Sequence, residues 1–233
     1  MEFFHFGVRS GKRGDASEHI DYVNRRGRHA AREDLIVTGH GNMPAFAMND
    51  PDLLWKASDK FERKNGSTFR AFTVSLPNVL SEEQLIDLAR EEAQALAGSK
   101  PFQFALHMGL SSLRAELHPH VHITICDRLP DGIERPAEQM FMRYNNEHPE
   151  RGGCKKDCGG PTRTIVTKRL IHQRKVAADT INSALEHYGH PGRVDHRTLR
   201  ERGIARNPER YLGPATIRRM SEEQRRNIIG RST

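Results

Sequence analysis

Three histidines alternate with other residues in the short stretch Leu117–Cys126, and their spacing suggests chemistry. Successive side chains of a strand point to opposite faces, so His118, His120 and His122 would share one face. Two neutral imidazoles two residues apart can converge on one metal ion. The pattern predicts a half-buried strand that presents a metal site, and the alternative is a row of solvent-facing histidines. The opposite, apolar face would consist of Pro119, Val121, Ile123 and Ile125.

A neighbouring segment offers a further histidine. Residues 102–107 alternate in the same way, with three apolar residues on one face and His107 on the other. The loop at 108–116 allows the two segments to form an antiparallel hairpin, which would bring His107 near His120 and His122. Three imidazoles with open coordination positions make a reactive site rather than a closed structural one. A divalent ion held there can polarise a phosphate.

A tyrosine near the N-terminus is the candidate nucleophile. Tyr22 lies on a predicted helix that opens with Asp15-Ala16-Ser17-Glu18, a capping-box pattern. Arg25 and Arg26 follow it at i+3 and i+4 and can share its face. A tyrosine that attacks a phosphodiester forms a covalent phosphotyrosine. On spacing alone a packing role is more common for such a residue, and three other tyrosines compete for the role: Tyr144, Tyr188 and Tyr211.

The composition favours a polyanionic partner. The 233 residues include 37 Lys and Arg against 30 Asp and Glu, a formal net charge of +7 at pH 7. Three cysteines do not suggest a disulfide scaffold and are typical of a reducing compartment. Cys154 and Cys158 lack the tight spacing of a zinc knuckle, although structural zinc there is an alternative. No apolar run is long enough to cross a bilayer and no secretory signal is found, so a cytoplasmic setting without membrane insertion is expected.

Four strands with one apolar face and one small or polar face predict an α/β (α+β) fold. We expect a central antiparallel sheet with helices packed on one face and a working surface on the other. Residues 1–233 are expected to form a single domain, with a flexible basic loop at 151–169 and a helical C-terminal extension at 190–233. Residues 28–49 are expected to be irregular. The predicted strands lie at 2–8, 69–76, 102–107 and 117–126, and the predicted helices at 15–27, 50–65, 81–98, 137–146 and 167–188.

Several motifs together resemble the MobA/MobL family of plasmid mobilisation relaxases, which belong to the HUH endonucleases. They are the His-Pro-His-Val-His-Ile strand, the upstream Ala-Leu-His107, and Asp21-Tyr22-Val23 followed by Arg-Gly. The two histidines that give the superfamily its name correspond to His120 and His122. The resemblance covers nearly all of residues 1–215 and includes the segments 41–44, 61–66, 75–77, 131–136, 143–145 and 194–199.

The resemblance implies a metal-dependent, site- and strand-specific nickase with the antiparallel fold of rolling-circle replication initiators. Tyr22 matches the nucleophile that becomes linked to the 5′ phosphate at the nick in the origin of transfer. His107, His120 and His122 match the ligands of a divalent ion, Mg²⁺ or Mn²⁺. The enzyme would reseal the strand after conjugative transfer. The implied partners are single-stranded DNA at the origin of transfer, accessory mobilisation proteins and the coupling protein of a type IV secretion apparatus.

The chain departs from the family pattern at two positions. Related enzymes often have acidic residues where this chain has Ala71 and Thr73. The proton acceptor for Tyr22 and the carboxylate that orients a histidine are therefore unassigned. The same departures support an alternative function, a non-catalytic single-stranded DNA-binding or replication-control module of this fold. A histidine-triad-like nucleotide hydrolase, a third interpretation, gives Tyr22 and the basic loop no role. The candidate substitutes for the acidic residues are Asp21, Asp127 and Glu134.

DNA contacts are predicted at basic residues near Tyr22 and in the basic loop. For each of them a solvated surface charge is the alternative. His118 is expected to contact DNA or to support a ligand rather than to act as a fourth ligand. Trp55 or Tyr144 would stack on bases, and core packing is the alternative for both. The predicted basic contacts are Arg25, Arg26, Arg28, Lys155, Lys156, Arg163, Lys168 and Arg169.

Overall fold

A computed structural model describes residues 4–110, 117–157, 160, 162–205, 217 and 219–224. Its five strands are β1 Phe6–Gly11, β2 Leu35–Gly41, β3 Phe69–Ser75, β4 Phe102–Leu110 and β5 Leu117–Ile125. They form one antiparallel sheet in the order β1-β3-β5-β4-β2. The predicted antiparallel sheet is thus confirmed, and the histidine strand β5 lies at its centre.

Five α-helices accompany the sheet within the described residues up to 205. They are α1 Ala16–Val23, α2 Pro51–Phe61, α3 Glu82–Ala97, α4 Ala137–Met140 and α5 Arg163–His187. Short 3₁₀ turns cover Gly27–His29, Ala45–Ala47 and Pro149–Arg151. None of the described helices combines the length and the apolar character that crossing a bilayer requires.

The N-terminus of α1, the helix that carries Tyr22, is fixed by another helix. The Asp59 carboxylate of α2 accepts hydrogen bonds from the backbone N–H groups of Gly14, Ala16 and Ser17, at 2.8 to 3.0 Å. A carboxylate at this position accepts hydrogen bonds from N–H groups that have no partner within the helix. Its negative charge also interacts favourably with the positive end of the helix dipole. The predicted capping by Asp15 is wrong, since its side chain accepts from the N–H of Lys12 and makes no cap bond to α1. A long-range contact therefore sets the position of α1.

Apolar cores lie on both faces of the sheet, because the strands alternate as predicted. Val121, Ile123 and Ile125 of β5 point into the first core, against α3 and α5. The histidine face was expected to be a bare working surface, but α1 and α2 also pack on part of it. Ala71 and Ala105 belong to this second core. The sheet therefore has helices on both faces, and the face that carries the histidines is only partly covered.

Strand β2 was not predicted, since residues 28–49 were expected to be irregular. Its glycines explain the error, because glycine is unfavourable inside a strand unless another group approaches closely. A Cβ on Gly39 would lie 2.4 Å from Cε1 of Phe104, and one on Gly41 would lie 2.5 Å from Cε1 of Phe102. The two glycines thus make room for phenylalanine rings of β4, the partner of β2.

Other element boundaries also differ from the prediction. Strand β1 begins at Phe6 and runs on to Gly11, and as an edge strand it leaves Val8 43% exposed. The predicted helix at 137–146 ends at Met140. Part of the predicted basic loop is helical, because α5 begins at Arg163, where Thr162 accepts a hydrogen bond from the N–H of Ile165. Residues 111–116, Cys158 and most of 206–233 lie outside the described residues.

Candidate metal centre and tyrosine site

Three imidazoles converge where β4 meets β5. His107 stands directly opposite His120 in the antiparallel register, as the predicted hairpin requires. The ring centroids lie 4.8 Å apart for His107 and His122, 5.1 Å for His120 and His122, and 5.4 Å for His107 and His120. One nitrogen from each ring lies within 4.8 Å of the others, the arrangement expected of ligands that share one ion. Within the described residues this is the one cluster of potential ligands with such spacing.

One nitrogen of each of the three rings forms a hydrogen bond with an oxygen atom of the protein. Such a bond fixes the tautomer and orientation of a metal-binding histidine and leaves the other nitrogen for the metal. His107 Nε2 lies 2.6 Å from the carbonyl oxygen of Val23, His120 Nδ1 3.0 Å from that of His118, and His122 Nδ1 3.1 Å from Oγ1 of Thr73.

Desolvation keeps the three imidazoles neutral. Burial lowers the pKa of His107 to about 4, and it lowers the pKa of His120 and, more strongly, that of His122. A metal binds the neutral form of imidazole. Three oriented, neutral nitrogen donors therefore fit a divalent metal ion.

Thr73 replaces one of the acidic residues expected from the resemblance. It lies opposite His122 in the register, and its hydroxyl group is the oxygen that orients His122. Ala71 packs in the second core beside α1. The sequence offered no carboxylate to orient the histidines. In the structure a hydroxyl group and two backbone carbonyl groups make the corresponding hydrogen bonds.

Arg25, a predicted DNA contact, lies inside this site. Its side chain is 5% exposed and makes a two-pronged ion pair with Asp34, at 2.6 and 2.7 Å. The same guanidinium donates to Nδ1 of His107 and to the carbonyl oxygen of Tyr22, each at 2.8 Å. Hydrogen bonds from Arg25 lower the pKa of Asp34 to about 2, so its carboxylate is ionised. Sequence reasoning missed Asp34, which lies just before an unrecognised strand.

Tyr22 lies beside the histidine cluster. Its ring meets that of His122 edge-on with 6.2 Å between centroids, and the guanidinium carbons of Arg25 and Arg32 lie 5.0 and 5.5 Å from the ring centre. The predicted nucleophile and the predicted ligands are therefore neighbours. A cleft of about 240 Å³ runs along this part of α1 and is lined by Arg9, Asp15, Glu18, His19, Tyr22, Arg28 and His29.

The competing tyrosines lie elsewhere or outside the described residues. Tyr188 ends α5 and packs against the first core, on the face away from the histidines. Tyr144 is half-buried in the segment after α4. Tyr211 lies outside the described part of the chain.

The three acidic residues considered as proton acceptors are engaged or distant. Asp21 pairs with Arg26 at 3.0 Å and is about half exposed. Asp127 follows the end of β5 and pairs with Arg70 at 3.0 Å. Glu134 is exposed in the turn before α4. Sequence reasoning did not single out Glu18, which precedes Tyr22 by one helical turn, lines the same cleft and pairs with Arg28.

The remaining predicted DNA contacts fall into two groups. Arg28 lines the cleft beside Tyr22, whereas Arg26 pairs with Asp21 and, at 2.6 Å, with Asp52 of α2. The ring centroid of His118 lies 5.6 Å from that of His120. Residues of the basic loop lie elsewhere: those from Arg163 on belong to α5, which packs on α3 against the opposite face, and Lys155 and Lys156 pair with the segment after β5. Lys156 pairs with buried Glu62 at the end of α2, Arg169 pairs with Asp157, and Lys155, Arg163 and Lys168 are exposed.

Two other residues considered in the sequence serve the packing. Trp55 is buried in the second core, and its indole N–H donates to Oε1 of Gln103 at 2.8 Å. Cys154 is buried beside Arg135, whose guanidinium donates to Sγ at 3.5 Å. Burial raises the pKa of the Cys154 thiol, which disfavours the thiolate form that zinc requires.

Comparison with solved structures defines the class of fold. The relaxase domain of MobM, solved with Mn and plasmid pMV158 oriT DNA, aligns with a TM-score of 0.51 at 11% identity, over 94% of this chain and all of that one. A structure described as the molecular basis of vancomycin resistance transfer in Staphylococcus aureus aligns with a TM-score of 0.61 at 19% identity, over 84% of this chain and all of that one. The chain has the fold of the MobM relaxase domain.

Sequence comparison gives the family. The model of the MobA/MobL family matches residues 12–223, and the chain belongs to that family. It is 38% identical over 209 residues to the 43 kDa relaxation protein of Salmonella typhimurium and 38% identical over 224 residues to Mobilization protein A of Escherichia coli. These matches cover 88% and 93% of the chain but 56% and 30% of the relatives. The chain thus spans about half of one relative and less than a third of the other.

Proposed function

We propose that this chain is a metal-dependent relaxase, which nicks one strand at a specific site in a plasmid origin of transfer through Tyr22. The observation that carries the proposal is the position of Tyr22 beside three convergent, oxygen-oriented imidazoles. A tyrosine and an open metal site are the two components that phosphodiester transesterification requires. Membership of a family whose relatives are named for relaxation and mobilisation supports the same function.

The proposed reaction exchanges one phosphodiester for another. Tyr22 Oη attacks the phosphorus at the nick, a bond to the 5′ phosphate forms, and the bond from phosphorus to the 3′ oxygen breaks. The phenol loses a proton and the leaving 3′ oxygen gains one, so the sum is balanced. The covalent phosphotyrosine keeps the energy of the broken bond. Attack by the 3′ hydroxyl group on this intermediate reseals the strand after transfer.

Residues around Tyr22 are suited to handle negative charge. His107, His120 and His122 would hold Mg²⁺ or Mn²⁺, which when bound withdraws charge from phosphate oxygens. Arg32 lies close to the tyrosine ring, where its positive charge would offset negative charge that develops on the phosphate under attack. Arg9 and Arg28 in the adjoining cleft would contact phosphates of the incoming strand. They would do so without reading its sequence.

The proposed partners follow from this chemistry and from the relatives. Single-stranded DNA at the origin of transfer would lie across the cleft beside Tyr22. Accessory mobilisation proteins and a type IV secretion coupling protein would deliver and receive the nicked strand, in keeping with the relatives that are named as mobilisation proteins.

A plasmid-nicking assay tests the proposed function. Supercoiled plasmid carrying the cognate origin is incubated with protein and Mn²⁺ or Mg²⁺, and relaxation is followed with and without EDTA. We expect metal-dependent nicking at a single site by the wild type, and loss of both metal binding and nicking in His122→Ala. His118→Ala is the matched control for metal affinity, because it removes an imidazole outside the ligand cluster. DNA binding without nicking by the wild type would refute the proposal and favour the non-catalytic binding module.

A further inference from the structure

One guanidinium links the helix of Tyr22 to the histidine cluster. Arg25 follows α1 with a left-handed backbone, φ +54, which few side chains adopt without support. Its Nη1 donates to the carbonyl oxygen of Tyr22, and its Nη2 donates both to Asp34 and to Nδ1 of His107. The end of α1, the start of β2 and the strand β4 are thereby tied to a single side chain.

The positive charge of Arg25 and the negative charge of Asp34 have opposite effects on a cation that binds at His107. Nε2 of His107 lies on the carbonyl oxygen of Val23, so Nδ1 is the nitrogen left for a cation, and Arg25 donates to that same atom. A metal ion on Nδ1 would have to displace this hydrogen bond and would face the charge of Arg25. The Asp34 carboxylate lies 4.0 Å from Nδ1 and both holds and neutralises the guanidinium. At such distances the charge of a carboxylate favours a bound cation.

We infer that Asp34 and Arg25 form a positioning pair that couples Tyr22 to the metal ligand His107. Asp34 holds and neutralises Arg25, which makes the entry of a metal ion at His107 favourable. Arg25 fixes the spacing between the backbone of Tyr22 and the imidazole of His107. The inference rests on the proposed function for the reaction of Tyr22, whereas the part that concerns metal binding stands on the His107 contacts alone.

The pair predicts opposite effects of its two members on metal affinity. Asp34→Asn should weaken binding of Mn²⁺ by about 10–100-fold, the usual effect of losing a residue that supports a ligand. Arg25→Met removes the competing donor and leaves Asp34 free, so its Mn²⁺ affinity should equal or exceed that of the wild type. At saturating Mn²⁺, Arg25→Met should nevertheless form the covalent DNA adduct at least about 10-fold more slowly, with the KM for DNA little changed.

The test uses the full chain and a matched control. Mn²⁺ affinity is measured by calorimetry, the ligand set by the visible absorption of bound Co²⁺, and adduct formation by single-turnover kinetics. Asp52→Asn is the control, because it breaks the similar two-pronged pair with Arg26, which does not touch the histidines. It should keep the wild-type Mn²⁺ affinity and Co²⁺ spectrum.

Two results would overturn the inference: wild-type Mn²⁺ affinity in Asp34→Asn, or a wild-type adduct rate in Arg25→Met at saturating metal. If either variant fails to fold, Asp34→Glu and Arg25→Lys replace them. These keep the charges, so they should retain metal affinity to within a few fold while still slowing adduct formation. If the wild type forms no adduct with any DNA, the proposed function fails, yet the affinities of Asp34→Asn and Arg25→Met still decide whether the pair controls the metal.

Discussion

Replacement of Thr73 by valine isolates the hydroxyl group that orients His122. Valine keeps the shape and the strand preference of threonine, so the change removes the 3.1 Å contact between Oγ1 and Nδ1 of His122 and little else. Loss of one neutral hydrogen bond lowers the free energy of unfolding by about 1 kcal/mol. Loss of the orienting contact lowers metal affinity by about 10–100-fold, or about 1.4–2.7 kcal/mol.

Calorimetric titration with Mn²⁺ measures this effect, and urea unfolding measures the change in stability. Thr73→Ser is the control, since it keeps the hydroxyl group and should bind Mn²⁺ within about 3-fold of the wild type. A Thr73→Val protein that binds Mn²⁺ as tightly as Thr73→Ser would refute the idea that the hydroxyl group takes the place of an orienting carboxylate.

Two further predictions concern stability. Glu62, 1% exposed, pairs with Arg128 at 2.9 Å and with Lys156 at 3.0 Å. Glu62→Gln should therefore lower the urea-derived free energy of unfolding by about 3–5 kcal/mol, because two buried cations lose their partner, and a loss below 1 kcal/mol would contradict this. His19 stacks on Phe69, and burial lowers its pKa from 6.5 to about 4. As the pH falls, the imidazole of His19 is protonated in the unfolded chain before it is protonated in the folded one. The contribution of neutral His19 to the free energy of unfolding is therefore complete above pH 6.5 and falls by about 3 kcal/mol between pH 6.5 and pH 4. His19→Gln should make the fall in unfolding free energy between pH 6.5 and 4 less steep, and an unchanged slope would show that His19 does not contribute to it.

Local pattern was enough to predict the histidine strand. Alternation placed His120 and His122 on one face and the apolar residues of β5 in the core, and the hairpin brought in His107 from β4. Such features depend on a period of two and on a short connection, both of which are visible in the residues themselves. The same alternation in β3 placed Thr73 on the face of its strand opposite to the apolar residues.

Features that depend on distant contacts could not be read in this way. Strand β2 escaped notice because Gly39 and Gly41 serve the rings of β4 rather than their own strand. Asp34 and Arg25 are separated by eight residues, and no local pattern links them to His107. The cap of α1 comes from Asp59, more than 40 residues away. In each case the partner is chosen by tertiary packing.

The most direct test of the proposed function is the site of the covalent bond to DNA. Wild-type protein and Tyr22→Phe are incubated with Mn²⁺ and plasmid carrying the cognate origin, and the DNA-linked peptide is identified by mass spectrometry. The phenylalanine variant keeps the ring that contacts His122 and Arg25, so its folding and DNA binding should change little. We predict that the 5′ phosphate is found on Tyr22 of the wild type and that Tyr22→Phe yields no adduct. An undiminished adduct in Tyr22→Phe, or a linkage to another residue, would contradict the role of Tyr22 as the nucleophile.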